Sequence, residues 1–565
     1  MGLRNDMFRL KRVTFLASAL IFLLYVFLFW EYSTDDAFIT FRYAENLANG
    51  HGLVFNPGDK PVEGYSNFLW LLLLSLLYKL GLPIHVTAKL IGLSSFLLSA
   101  LIWFRHFETD EAKLSWLVGP LFVICPITAF WGLSGLELGL YTLLITGATI
   151  ALLRRSVWLY ILLPLIVLSR PEGVIIGFGL LIVGAISDLL NDRLDKKYLA
   201  TGMAVLIFSI IGLVLFRLKV FGLPLPNTYY AKRHHNLTLG YLELGRMLLV
   251  FAPLTMGLLW GIVRVVAGKA ANRGMTIFVA LFVLQALISA NMDPVMNFHF
   301  RYLIPFLPFL LAISLMAVSH LGKAAHRWLA VGAFLISLLV PLPKVHANVQ
   351  FQTEVIMAQN AFIRWAKSLP GNATISISDA GRIPYYTGKT YYDIYGLVNQ
   401  EIAHQEFNPP REFLRLPDYF VLVGYIEFYA EELQVKLRLK REQLIAANEP
   451  FFWTYKFNRI CLPAGADPQN PGYYYLVFQR ENIKFFYDPE FISLLKGEFD
   501  LEEKCALRML ELVPNDLKAY HLLGSVYMKK KEYQKAKKVW EDILTFSQED
   551  SVAIQNLKQL EKQMK

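Results

Sequence analysis

Apolar runs recur along the chain from Val13 to about Val340 and then stop. A membrane-crossing helix needs about 20 largely apolar residues to span a hydrocarbon core of about 30 Å. The run 13–30 predicts a first crossing. Further crossings are expected at about 85–104, 114–130, 138–153, 157–168, 174–190, 198–216, 247–263, 275–290, 302–318 and 328–342, eleven in all. Residues 68–82 are apolar but short and end at Gly81 and Pro83; they predict a helix lying on, or dipping into, the outer surface. Beyond residue 342 the pattern changes. Short alternating runs (Thr374–Ser378, Tyr419–Val423, Tyr473–Phe478) mix with helical ones, and from about 483 the periodicity is helical throughout. The expected architecture is a polytopic α-helical membrane domain over 1–342, a soluble α/β domain over 343–482 and a helical tail over 483–565.

Basic residues orient this array, because cytoplasmic loops concentrate Lys and Arg. Arg4, Arg9, Lys11 and Arg12 precede the first helix and place the N-terminus in the cytoplasm. The tracing then leaves sixteen Lys and Arg in inside segments and nine in longer outside loops, with the C-terminal domains extracytoplasmic. Counting 68–82 as a crossing, or merging 157–190 into one helix, spoils that contrast. The core Val13–Trp30 is long and no small-residue cleavage site follows it, so it reads as a retained span rather than a signal peptide.

Composition agrees with the pattern. Of 565 residues, 55% are hydrophobic and 18% charged, against about 25% charged in an ordinary soluble domain. A cytosolic or secreted enzyme and a β-barrel are excluded. The net charge of +10 belongs to orienting loops, which removes the nucleic-acid reading it would otherwise invite. Of three cysteines, Cys125 lies in a membrane run, whereas Cys461 and Cys505 lie in the soluble part and could pair in an oxidising compartment. In the tail, Tyr520, Leu523, Gly524, Tyr527, Ala536 and Trp540 resemble a tetratricopeptide helix pair, with a degenerate copy over 485–514. Two such repeats are too few to stand alone, so they are expected to pack on the neighbouring domain, and the resemblance implies a protein partner.

The break Ser169-Arg170-Pro171-Glu172-Gly173 follows a helix of only about 12 residues, roughly 18 Å long. It is therefore expected to lie below the outer surface and to face a cavity, since charged irregular backbone is not tolerated against lipid. The first outside loop carries the adjacent carboxylates Asp35 and Asp36. Either could deprotonate a hydroxyl or hold a divalent cation; equally, the pair could cap a helix starting near Ala37. No His/Cys cluster has metal-ligand spacing. His234 and His235 read as loop residues, and the sequons at Asn236 and Asn372 are too common a pattern to carry weight.

The loop that continues through Arg42-Tyr43, Asn49-Gly50-His51-Gly52 and Glu63-Gly64-Tyr65-Ser66-Asn67 resembles the signature of bacterial membrane glycosyltransferases of the GT-C superfamily, in particular the arabinofuranosyltransferase-like group typified by mycobacterial terminal arabinosyltransferases. Ser134-Gly135-Leu136-Glu137, Arg170-Pro171-Glu172-Gly173, Pro226-Asn227-Thr228-Tyr229-Tyr230-Ala231-Lys232, Phe300-Arg301-Tyr302 and Ser378-Asp379-Ala380-Gly381-Arg382 through Tyr386 also resemble that group. Where the group often has a Gly-Gly-Asp segment, this chain has Asn291-Met292-Asp293-Pro294. The resemblance covers about 30–480 and omits the tail. It implies an inverting transfer from a polyprenyl-phosphate-linked sugar on the outer face of the bacterial cytoplasmic membrane, with Asp36, helped or replaced by Asp35, as base. Arg170, Lys232 and Arg301 would meet the phosphate. Arg42, Glu63, Tyr65, Asn67, Glu137, Glu172, Asn227, Tyr229, Tyr302, Asp379 and Tyr386 would complete the donor and acceptor contacts. The acceptor is a glycan, a lipid or a protein. The competing classes are a lipid or glycan transporter, which predicts charges at the bilayer midplane and an internal repeat, and a tetratricopeptide scaffold on a membrane anchor.

Overall fold

A computed structural model describes residues 2–108, 114–189, 193–232, 237–267, 273–292, 297–404, 414–429, 432–437, 455–463, 472–481, 495 and 497–563. Asp293, His234 and His235 lie outside the described residues. The chain forms two compact units. The first comprises Met1–Gln359 with Asp379–Gly388 and Gly396–His404; the second comprises Asn360–Ser378, Lys389–Tyr395 and Gln405–Lys565.

The first unit is a bundle of apolar helices. Among the described residues, five are long and apolar enough to cross a membrane: Asp6–Leu28, Ile84–Phe107, Lys196–Phe221, Arg273–Ala290 and the stretch Ala324–Lys367. Two expected straight crossings are bent. The run 114–130 breaks by 58° between Ser115–Ile124 and Pro126–Leu133, and the run 247–263 is interrupted between Leu237–Val250 and Ala252–Val266, which meet at 102°. In each case a proline at the start of the second helix lacks the N–H that would continue the first. Counting each bent pair as one span gives seven. The other apolar helices, among them Leu138–Leu153, Trp158–Ser169 and Gly173–Leu189, are 10–17 residues long, so eleven full-length crossings are not reached by length and composition. Outward-facing side chains are apolar, as a lipid-facing surface requires: Phe27 is 79% and Phe208 73% exposed.

Charges gather at the two ends of these helices. At one end Asp188, on the last turn of Gly173–Leu189, meets Arg155 at 3.2 Å and Arg273 at 2.7 Å. At the other end the same helices begin or finish at Glu137, Arg170 and Glu172. The span between is apolar, and its helices approach through glycine. A Cβ on Gly139 would lie 2.2 Å from the Gly92 carbonyl oxygen, and one on Gly92 2.6 Å from that of Gly132. Without a hydrophobic force between helices in lipid, such close backbone contact supplies the packing.

The second unit holds a six-stranded mixed sheet: β1 (Thr374–Ile377), β2 (Thr390–Asp393), β3 (Tyr419–Tyr429), β4 (Glu432–Leu437), β5 (Tyr455–Cys461) and β6 (Tyr474–Arg480), in the order β2-β1-β3-β6-β5 with β4 on β3. β1 runs parallel to β2 and β3, and the remaining pairs are antiparallel. Helix Phe499–Leu512 shares a core with the sheet through Leu501, Cys505 and Met509 against Phe420, Tyr455 and Tyr474. Three more helices, Leu517–Lys529, Tyr533–Phe546 and Ser551–Gln563, each pack on the one before. Trp540 is fully buried, its ring 2.4 Å from where a Gly524 Cβ would stand. Cys461 and Cys505 are buried and unpaired.

Gly139→Ala is expected to lower the stability of the membrane unit by about 1–3 kcal/mol through overpacking against Gly92. The thermal midpoint of the detergent-solubilised protein checks it, with Gly212→Ala, where nothing stands within 4 Å of the added carbon, as the neutral comparison.

Candidate functional site

Thr34, not Asp35 or Asp36, is the N-cap of the helix Asp35–Ala48; the two aspartates occupy its first turn. There a carboxylate gains from the helix dipole without being spent on a cap. The start is pinned by Thr34 N–H to the Ser134 carbonyl at 3.1 Å and by the Tyr32 and Thr34 hydroxyls at 2.9 Å. Gly135, at φ +82°, lets the 134–137 loop lie flat on this helix, since a Cβ would stand 2.9 Å from the Phe41 ring.

The twin aspartates differ in what they hold. Asp35 Oδ1 accepts from Gln359 Nε2 at 2.8 Å and Arg382 N–H at 2.9 Å, and Oδ2 from Gly381 N–H at 3.0 Å. Asp36, half-buried beside it, makes no hydrogen bond or ion pair among the described residues. Burial, then the neighbouring Asp379 and Asp36 carboxylates, push the Asp35 carboxyl up to about 7 against the pull of the Arg382 N–H and Gln359.

Behind them lies a buried charge network. The Arg170 guanidinium pairs with both Glu137 and Glu172 and faces the rings of Tyr141 and Tyr302 at 5.6 and 5.7 Å. Glu137 also accepts from Asn67 Nδ2 at 2.8 Å, and Asn67 Oδ1 accepts from Thr40 on the Asp35–Ala48 helix at 3.2 Å. Arg301 stands 3.9 Å from Glu137, lies over Trp131 at 5.5 Å and leaves its buried Nε–H without an acceptor. His299 and Phe300, at φ +49° and +57°, turn the backbone to present it. Non-glycine residues pay about 1–3 kcal/mol each for that conformation.

Other expected contacts are occupied differently. Glu63 is held by Arg217 in a bidentate pair at 2.8–3.1 Å; burial pushes its carboxyl up while Arg217 pulls it down. Arg42 is bound to the Phe55 carbonyl, the Asn56 side chain and the Pro384 carbonyl. Asn227 donates to the Gly396 and Leu397 carbonyls at 2.8 and 2.9 Å. Tyr229 is 54% exposed, and Lys232, half-buried, ends the same short helix Asn227–Ala231. Tyr65 is buried with its hydroxyl unpartnered. Asp379 lies near Asp35, and Tyr386 stacks under Arg382 at 4.7 Å. Asp35, Asp36, Asn67, Glu137, Arg170, Glu172, Arg301 and Tyr302 thus come together; Glu63 and Arg42 hold loops, and Tyr229 stands apart.

Sequence reasoning missed Lys89. It is 3% exposed within the helix Ile84–Phe107, donates to the Trp30 carbonyl at 2.5 Å and has no carboxylate within ion-pair distance among the described residues. His85, one turn earlier, bonds Ser33 at 2.7 Å, and its ring lies 5.1 Å from Phe38, which Arg382 covers on another side at 5.3 Å. A lone lysine in an apolar span is itself the missed signal. Arg217, Gln359 and Gly381 had no distinguishing signal of their own. Among the described residues no group of three or more His, Cys, Asp and Glu could hold a metal ion.

The overall fold, as distinct from the site residues, has a counterpart among solved structures. The fold is similar to that of ArnT from Cupriavidus metallidurans. The structure of ArnT bound to undecaprenyl phosphate aligns with a TM-score of 0.51 over 82% of this chain and 97% of the ArnT chain, at 10% identity; the apo structure of the same protein aligns at 0.49 and 11%. The chain therefore shares the fold of ArnT. Residues 345–474 match a family described as a domain of unknown function, DUF8728. No curated protein matches the chain.

In this ArnT-like fold Asp35 gives a pH signature. A carboxyl raised in the folded state stabilises the protein fully below its ordinary range and loses that contribution as pH rises through about 7. The thermal midpoint is therefore expected to fall between about pH 4 and 7 and to level off above, and Asp35→Asn to flatten that fall; an unchanged slope in the variant would refute it.

Proposed function

We propose that the protein is an integral membrane glycosyltransferase that moves a sugar from a polyprenyl-phosphate donor to a hydroxyl acceptor on the outer face of the bacterial cytoplasmic membrane. The observation that carries this is Asp36: a half-buried carboxylate left without a partner beside a buried charge network in which the neighbouring acids are all engaged. The ArnT-like fold, seen elsewhere with undecaprenyl phosphate bound, supports a lipid-linked donor.

Asp36 accepts the acceptor hydroxyl's proton. That oxygen bonds to the anomeric carbon as the bond from that carbon to the phosphate oxygen breaks, and the lipid phosphate departs with the electron pair, inverting the centre. The departing anion needs positive charge that is not already neutralised. Arg170, saturated by two carboxylates, holds the frame instead. Arg301, with an unsatisfied N–H, and Lys89, with no carboxylate contact, supply the charge. Lys232 serves at the loop rim. The sugar is a pentose such as arabinofuranose or a hexose, and the acceptor a cell-envelope glycan, a lipid or a protein. A tetratricopeptide-like tail recruits a protein partner.

Purified protein given radiolabelled polyprenyl-phosphate sugars is expected to transfer label. Asp36→Asn should cut the rate by on the order of 10²–10⁴ while leaving the thermal midpoint near wild type. Absence of transfer from every lipid-linked pentose and hexose, with lipid translocation instead, would replace this function with transport. Lys89→Met is expected to weaken binding of undecaprenyl phosphate by on the order of tenfold, the loss of one charge-assisted hydrogen bond, as measured by displacement of a labelled lipid phosphate.

A further inference from the structure

Asp35 is fixed by a segment far away in sequence. Residues 379–388 lie in the chain between β1 and β2 yet pack within the membrane unit. Their backbone closes directly on the helix Asp35–Ala48: Gly381 and Arg382 aim consecutive N–H groups at the two oxygens of Asp35, and Pro384 offers its carbonyl to Arg42. The approach is as close as backbones allow. A Cβ on Gly381 would stand 2.0 Å from the Asp35 carbonyl oxygen and 2.4 Å from Oδ2. Side chains extend the seam, with Arg382 over Phe38 at 5.3 Å and Tyr385 and Tyr386 against the same ring at 5.6 and 5.7 Å. Gln359 adds the third donor to Asp35 from the helix Leu342–Lys367.

These contacts divide the labour of the twin carboxylates. Every strong acceptor direction of Asp35 that the structure shows is turned towards the protein, whereas those of Asp36 are open. We propose that Asp35 is a positioning residue, the anchor of a strap formed by 379–388, and that the docked strap sets the register of the first helical turn on which Asp36 is carried. It is not a second base. This deepens the glycosyltransferase reading and rests on it for its kinetic consequence, but the docking itself does not.

The two roles make opposite demands on the side chain. A base must ionise; an anchor need only accept hydrogen bonds, which an amide oxygen in the Oδ1 position still does for Gln359 and Arg382, giving up only the bond from Gly381 N–H. Asp35→Asn is therefore expected to keep transfer within about fivefold of wild type, and Asp35→Ala, which removes three hydrogen bonds, to lose on the order of 100-fold. Gly381→Ala should resemble Asp35→Ala, and the double variant should be no worse than either single one, because both undo one contact. An Asp35→Asn variant as inactive as Asp36→Asn, or additive losses in the double variant, would overturn the anchor role. An independent readout needs no activity. The Arg382–Ile383 bond lies in the strap, so limited trypsin treatment of the full-length protein in detergent should cut there faster in Asp35→Ala and Gly381→Ala than in wild type, Asp35→Asn or Asp36→Asn. Equal protection in Asp35→Ala would show that Asp35 does not hold the strap. If the strap loosens as expected but no lipid-linked sugar is transferred by the wild type, it is the functional reading that fails.

Discussion

A guanidinium buried among apolar helices organises this protein. Arg170 sits where the helix Trp158–Ser169 runs out, and a cation there is tolerable only if countercharge is supplied from within. Glu172 comes from the next helical start and Glu137 from a loop 33 residues earlier in the chain. Glu137 is in turn tied to Asn67, and Asn67 to Thr40. Four stretches of chain, around Thr40, Asn67, Glu137 and Arg170–Glu172, are therefore obliged to meet at one end of the bundle. Removing one carboxylate would leave an uncompensated buried charge, a loss of about 3–5 kcal/mol, so the network resists drift and gives the helix Asp35–Ala48 a rigid bed.

That bed explains why seemingly equivalent ions do different work. Charges that are fully paired, such as Arg170, Glu63 with Arg217, and Asp188 with Arg155 and Arg273, hold elements together. Groups left short of partners, Asp36, Arg301 and Lys89, border the same end of the bundle and have capacity for a ligand. Strain marks the same place: two successive left-handed residues precede Arg301, and a glycine admits the strap onto Asp35. A fold shared with ArnT at 10% identity is consistent with packing rules that constrain helices and loops far more than the residues between them.

Much of this was legible in the chain. The apolar runs, the short helix before Arg170, the short apolar helix Phe68–Lys79 and the helical tail follow from periodicity and length, because lipid and core both demand apolar faces. The bends at Cys125 and Phe251 were not, since a proline in an apolar run marks either a kink or a helix start. Asp35 and Asp36 stood out as a pair, but two adjacent carboxylates look alike on paper. Glu63 read as a sugar contact because its partner, Arg217, lies 154 residues away on a helix that otherwise faces lipid.

The sequence by itself determined a membrane bundle, a trailing α/β unit and the motifs that carry ionisable groups, for these depend on composition and spacing along one chain. Only the tertiary structure decided which charge is spent and which is free. A hydrogen-bond acceptor is used up by whichever donor arrives within about 3 Å, and for Asp35 those donors, Gly381 and Arg382, come from nearly 350 residues downstream.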